Sequence, residues 1–140
     1  MHHTTTRLAA ALAVALFTAA CGDDPPPLTN PDPPASITEE FSGTLTPFSA
    51  RLHLFNAQAA GTIAVNVSSL DPADTVVGIA LGTSTGGTVC QIAVSMENAS
   101  QGMTLNGVAR TAGTLCARIY DPTETGFPAP VPYTIRVTHF

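Results

Sequence analysis

Two histidines, two pairs of acids and one tyrosine carry most of the useful side-chain chemistry in the later part of this chain. His53 and His139 could each serve as a base, and nucleophilic catalysis needs such a base beside a Ser or Cys. No G-x-S-x-G elbow is present to offer a serine, and neither histidine has a partner at a telling spacing. Zinc asks for three or four nitrogen, sulfur or oxygen ligands. The chain has no H-E-x-x-H pattern, and its other two histidines, His2 and His3, stand at its start. Calcium asks for six to eight oxygens. Asp71 and Asp74 lie in one short stretch and Asp121 and Glu124 in another, and a sandwich can bring two such stretches to one end. Asp71 and Asp121 each precede a proline, however, and an Asp-Pro turn uses the carboxylate locally. Tyr120 is the candidate platform for a sugar ring, in a chain with no Trp and two Tyr. The expectation is a non-enzymatic protein with no cofactor and no metal centre.

The elements that must position these residues are strands. In "GTIAVNVSSL" Ile63, Val65 and Val67 alternate with Thr62, Ala64 and Asn66. In "VPYTIRVTHF" Tyr133, Ile135 and Val137 alternate with Thr134, Arg136 and Thr138, and "AGTLCARIYD" sets Leu115, Ala117 and Ile119 against Cys116, Arg118 and Tyr120. A period of two is the mark of a half-buried strand. "DTVVGIALG" offers Val77, Ile79 and Leu81, and "ITEEFSGTL" puts Ile37, Phe41 and Leu45 in one phase with Glu39 as the discordant member. "ARLHLF" is ambiguous, since Leu52 and Leu54 oppose His53 and Phe55, and "TVCQIAV" and "GMTLNGV" read as shorter strands. Turn signals fall at Asp71-Pro72, Gly86-Gly87, Asn106-Gly107, Ala112-Gly113 and Asp121-Pro122. About eight strands at this spacing make an all-β fold, a single β-sandwich of jelly-roll type over residues 37–140.

The beginning of the chain has another character. Leu8 to Ala20 is apolar except for Thr18, follows Arg7, and ends at Ala19-Ala20-Cys21. The run is too short for the roughly 20 residues of a spanning helix and reads as the core of a signal peptide, residues 1–20. Its end resembles the lipobox of bacterial lipoproteins, which implies a lipid on Cys21, although Thr18 stands where that family prefers Leu. Gly22, in place of Asp, leans by the same resemblance toward the outer membrane of a host that has one. Residues 21–36 hold the lipidated cysteine and a linker with six prolines, which favours an extended, semi-rigid path. With Cys21 taken by lipid, Cys90 and Cys116 remain, and an even pair outside the cytoplasm points to a disulfide.

Removing residues 1–20 takes away Arg7 and leaves four arginines, no lysine and all ten acids, a formal charge of −6. That lacks the basic footprint of a nucleic-acid binder and the polybasic patch that holds anionic lipid, so the membrane is engaged through the lipid anchor.

"FSGTLTPFSARLHLFNAQAAGTIAVNVSSL" and "AGTLCARIYDPTETGFPAPVPYTIRVTHF" resemble the bacterial pre-peptidase C-terminal domain. The resemblance is carried by Ser42-Gly43-Thr44-Leu45, Ala60-Gly61-Thr62, Ala112-Gly113-Thr114 and Tyr133-Thr134-Ile135. It implies a small sandwich accompanying a secreted hydrolase. The chain departs from the family in "DPADTVVGIALG", which lacks the Asp-Leu-Asp run, and in having no peptidase domain of its own. Three roles follow as expectations. The first is an envelope lipoprotein displayed for protein–protein or assembly contacts. The second is a carbohydrate- or matrix-binding module, and the third an accessory domain of a separate hydrolase.

Overall fold

Ile63, Val65 and Val67 are all buried in the strand Gly61–Leu70, while the residues between them are wholly or partly exposed. Successive side chains of a strand point to opposite faces, so repeating this pattern builds sheets with one dry face and one wet face. A computed structural model describes Asp32 and residues 34–140 and has that outcome. The expected signal peptide, Cys21 and the linker through residue 31 lie outside the described residues. Eight strands follow one another, and there is no helix among the described residues. They are β1 (Ile37–Leu45), β2 (Ala50–Ala57), β3 (Gly61–Leu70), β4 (Val77–Ser84), β5 (Cys90–Ala99), β6 (Thr104–Ala109), β7 (Gly113–Tyr120) and β8 (Val131–His139).

The first sheet has the order β1-β8-β3-β6 and the second β2-β7-β4-β5, with every pairing antiparallel. This is the jelly-roll order, in which each connection except β4–β5 crosses from one sheet to the other. Loops 46–49, 71–76, 100–103 and 121–130 meet at one pole, here called the tip. Phe48 N donates to Asp121, Leu70 N donates to Gln101, and Asp71 N donates to Pro132 O. The chain enters β1 at the opposite pole, the base, where Ile37 pairs with His139 and Gln58 N donates to Phe140 O. Leu45, Ile63, Ile79, Ile119, Ile135 and Val137 lie fully buried between the sheets. Each such side chain contributes about 1.5–3 kcal/mol relative to its exposed form.

The outer face of the first sheet is held by matched polar rungs. Thr38 and Thr138 hydroxyls are 2.8 Å apart, Arg136 Nε donates to Glu40 at 2.9 Å, and Ser42 and Thr134 hydroxyls are 2.9 Å apart. These residues stand directly opposite one another in the β1–β8 register, the position where cross-strand pairs stabilise a sheet.

The second sheet is built around the small residues of β4. Cβ atoms added at Gly78 and Gly82 would collide with the Tyr120 ring and with the β5 backbone at Gln91 and Ile92. The register of β4 and β5 also shifts at this point, between Leu81 and Gly82. The close approach at Gly82 carries β5 over β4, and Cys90 reaches Cys116 on β7, the strand on the far side. The two cysteines form a disulfide with Cα atoms 6.0 Å apart. It ties two strands that are not neighbours in the sheet.

Three details differ from the sequence reading. Asn106-Gly107 is no turn but lies inside β6, opposite Ala64 and Ile63. Gly107 faces the core, and the Leu81 side chain from the other sheet fills the space where its Cβ would be. β5 runs for ten residues, longer than "TVCQIAV" implies. Ile37, the first residue of β1, is exposed, while Leu45 at the other end is completely buried. The ambiguity of "ARLHLF" is resolved by Phe55, which is buried; Leu52 and Leu54 then face outward.

Candidate functional site

The histidines lie along the open side of the sandwich, between the edge strands β1 and β2. His139 is 0% exposed, and its Nε2–H donates to Glu39 Oε1 at 2.9 Å. Glu39, discordant in the alternation of β1, is thus the partner of a buried imidazole. The other face of that imidazole is met by Phe55, with ring centroids 5.0 Å apart. One turn of the pleat nearer the tip, His53 stacks on Phe41 at 4.8 Å and shares a 2.8 Å hydrogen bond with the Tyr133 hydroxyl. Gly43, opposite Tyr133 in the register, leaves room for that hydroxyl, which would stand 2.7 Å from a Cβ. Burial holds His53 below its usual 6.5 and pushes the Tyr133 phenol up, the latter opposed by the Arg51 charge. Neither imidazole is hydrogen-bonded to a serine, threonine or cysteine. Each is satisfied by a carboxylate or phenol and packed on a phenylalanine, so both act as polar members of the interior.

Tyr120 lies on the outer face of the second sheet. Its ring covers Gly78, its hydroxyl donates to Glu97 at 2.7 Å, and the Arg118 guanidinium lies 4.9 Å over the ring centroid. Burial, followed by the hydrogen bond and charge of Glu97, pushes the phenol up to about 12 against the opposing charge of Arg118. The hydroxyl and the ring are therefore already engaged within the protein. Beside it, Ala50, Arg51, Leu52, Thr88, Cys90 and Arg118 line an open depression of about 550 Å³.

The four acids proposed from sequence do share the tip, but not as a ligand set. Asp121 spends its carboxylate on the loops. Oδ2 accepts from Phe48 N at 3.0 Å and Phe127 N at 2.8 Å, and Oδ1 accepts from Thr123 N at 2.9 Å and Thr123 Oγ1 at 2.6 Å. Burial pushes this carboxyl up, but the hydrogen bonds from Thr123, Phe48 and Phe127 outweigh it and hold the group below 3.8. Asp71, Asp74 and Glu124 are exposed around it. No three His, Cys, Asp or Glu side chains come together to hold a metal among the described residues.

The residue that Asp121 positions is one the sequence reading passed over. Phe48 is 69% exposed and has φ +59°. It is the third residue of the turn Thr46-Pro47-Phe48-Ser49, which Ser49 closes by bonding both the N–H and the carbonyl of Thr46. A positive φ at that place in a turn normally falls to Gly or Asn, and for another L-residue it costs about 1–2 kcal/mol. Phe48 rests on Gly126, where a Cβ would stand 2.7 Å from its ring. A groove of about 390 Å³ opens between loops 71–76 and 121–130, lined by Val76, Phe127, Pro128 and Val131 together with Asp74, Thr75 and Thr123. The available signal was Pro47-Phe48, a large apolar side chain placed in a turn between two strands.

A scan of protein-family models matches none of them to this chain, and a search of curated proteins gives no match.

Proposed function

We propose that this chain is a non-enzymatic envelope lipoprotein whose β-sandwich is displayed for protein–protein contacts. In this reading residues 1–20 are removed, Cys21 carries lipid, and the Pro-rich linker to residue 36 holds the domain away from the membrane. One observation supports it above the others. The chain enters the sandwich at the base, and the opposite pole carries an exposed aromatic side chain held in a costly backbone conformation, tied through Asp121 to Phe127, a residue of a largely apolar groove. β1 is nine residues long, so the tip stands roughly 27 Å from the point of entry. A tethered module with its contact surface at the far pole is arranged for reaching outward.

The test is metabolic labelling with palmitate in a bacterial host, followed by crosslinking of the intact envelope. The full chain should take up label and sediment with membranes, its Cys21→Ser variant should do neither, and a protein should be captured on the wild type. Label-free secreted protein, or no captured protein, would refute the reading.

A second reading is favoured by the depression beside Tyr120, where Arg118 offers a guanidinium group that suits an acidic saccharide. Sedimentation with purified peptidoglycan or an acidic polysaccharide, abolished in Arg118→Ala, would select it.

A further inference from the structure

Building on the display role proposed above, we infer that the tip groove binds an apolar segment of another protein flanked by lysine or arginine, with Phe48 packing against its side. The first observation is shape. The groove is lined by Pro72, Val76, Phe127, Pro128, Ala129 and Val131, and Val76 remains 41% exposed beside it. A cavity of this size accepts a few apolar side chains. The second is the investment in Phe48. Asp121 receives its N–H, Ser49 closes its turn and Gly126 makes room for its ring, yet most of that ring faces water. Backbone held in a rarely occupied region persists when its surroundings impose it, and such positions gather at functional sites.

The third observation is charge, and it decides among occupants. The four tip loops contain Asp71, Asp74, Asp121 and Glu124 and no Lys or Arg. Asp121 is consumed internally, and Asp71, Asp74 and Glu124 are exposed with no ion-pair partner among the described residues. The formal charge of the tip loops is negative. The linker of this chain carries Asp23, Asp24 and Asp32 and no base, so it is repelled. A second copy meeting tip to tip would bring acids against acids, and an anionic lipid surface is repelled in the same way. A segment with cations on either side of an apolar centre meets attraction from the loop acids and burial in the groove, the arrangement that steers association and sets specificity.

The test uses the purified full chain in detergent and two labelled synthetic peptides. Both have the centre Leu-Pro-Val-Leu, one with two lysines at each end and the other with two glutamates. Fluorescence anisotropy should show the lysine peptide binding about tenfold more tightly, a preference that shrinks at high salt. Val76→Asp and Phe48→Gly should each weaken it severalfold, and Asp74→Asn with Glu124→Gln should remove the preference. Leu54→Asp, on the outer face of the second sheet, should change nothing, and thermal melts establish that each variant is folded. Equal binding of both peptides, no binding of either, or indifference to Val76→Asp and Phe48→Gly would overturn the inference. A photoreactive residue placed at Phe48 or at Leu54 in cells separates the two levels of the proposal. Adducts at Phe48 that map to an apolar, Lys- or Arg-flanked segment support it. Adducts at Leu54 alone leave the display role standing and remove the tip, while adducts at neither site remove both.

Discussion

Replacing Asp121 with asparagine keeps the size of the side chain and takes away one acceptor oxygen and the charge. In the native tip the carboxylate accepts four hydrogen bonds, two from Thr123 on Oδ1 and one each from Phe48 N and Phe127 N on Oδ2. An asparagine that keeps its carbonyl toward Phe48 and Phe127 turns an N–H₂ toward the Thr123 donors. Two bonds are then lost, and the remaining two lose their charge assistance. Bonds to a charged acceptor are worth about 1.5–3 kcal/mol each, and the partial exposure of Asp121 discounts that range toward its lower end. The two lost bonds alone come to about 3 kcal/mol, and for a domain of this size the melting temperature should fall by about 15 °C. The pH dependence supplies a second check. The folded pKa of Asp121 lies below its ordinary 3.8, so its contribution is fully present above 3.8 and is lost as pH falls through the folded value. The difference between wild type and Asp121→Asn, measured by calorimetry at neutral pH and again in strong acid, should therefore close in acid. Equal melting temperatures at pH 7, or a gap that stays constant into acid, would refute the view that this carboxylate organises the tip.

Reducing the Cys90–Cys116 bond releases a loop with a sequence separation of 26, which in the chain-entropy account costs about 3.5 kcal/mol. Melts with and without reductant should differ by at least several degrees, and no difference would count against the bridge. Gly82→Ala should be more harmful than Gly107→Ala in urea titrations. A new Cβ at Gly82 meets the β5 backbone, whereas at Gly107 it meets the movable end of Leu81; overpacking of the second kind costs about 1–3 kcal/mol. Burial lowers the pKa of His53 below 6.5, so its share of the stability is present above 6.5 and declines as pH falls through 6.5 toward the folded value. Urea midpoints at pH 7.5 and 5.0 should consequently converge in His53→Phe relative to wild type, and an unchanged difference would show that His53 does not titrate with folding.

What the sequence disclosed depended on how far each residue's fate was decided locally. β3 and β8 were legible because one phase of each is apolar over Ile63–Val67 and over Val131–Val137, and the buried residues Val65, Val67, Ile135 and Val137 are the ones the alternation names. β2 was not, since Leu52 and Leu54 are as apolar as Phe55, and the choice of face is made by pairing with β7. Asn106-Gly107 has the composition of a hairpin turn, but its glycine is set by Leu81 on the opposite sheet, a neighbour that no local pattern contains. The discordant Glu39 was visible as a break in the pattern, and its partner His139 is a hundred residues away. The candidate acids were found, and the carboxylate of Asp121 does organise its own loop as an Asp-Pro turn leads one to expect. Phe48 escaped notice because a single aromatic residue in a turn has no periodicity. What marks it is a backbone angle, which sequence does not display.

The β1–β8 pairing has a mechanical consequence. All nine residues of β1 face partners on β8, from Ile37 opposite His139 to Leu45 opposite Val131. If the domain is held at the tip and pulled where β1 begins, the load runs along the strand. The rungs between β1 and β8 are then sheared together, as they would not be if the strand were peeled away one rung at a time. Thr38 with Thr138, Glu40 with Arg136 and Ser42 with Thr134 add side-chain links to the same ladder. A module drawn between an anchor and a bound partner would thus bear tension through the part of its fold best suited to resist it.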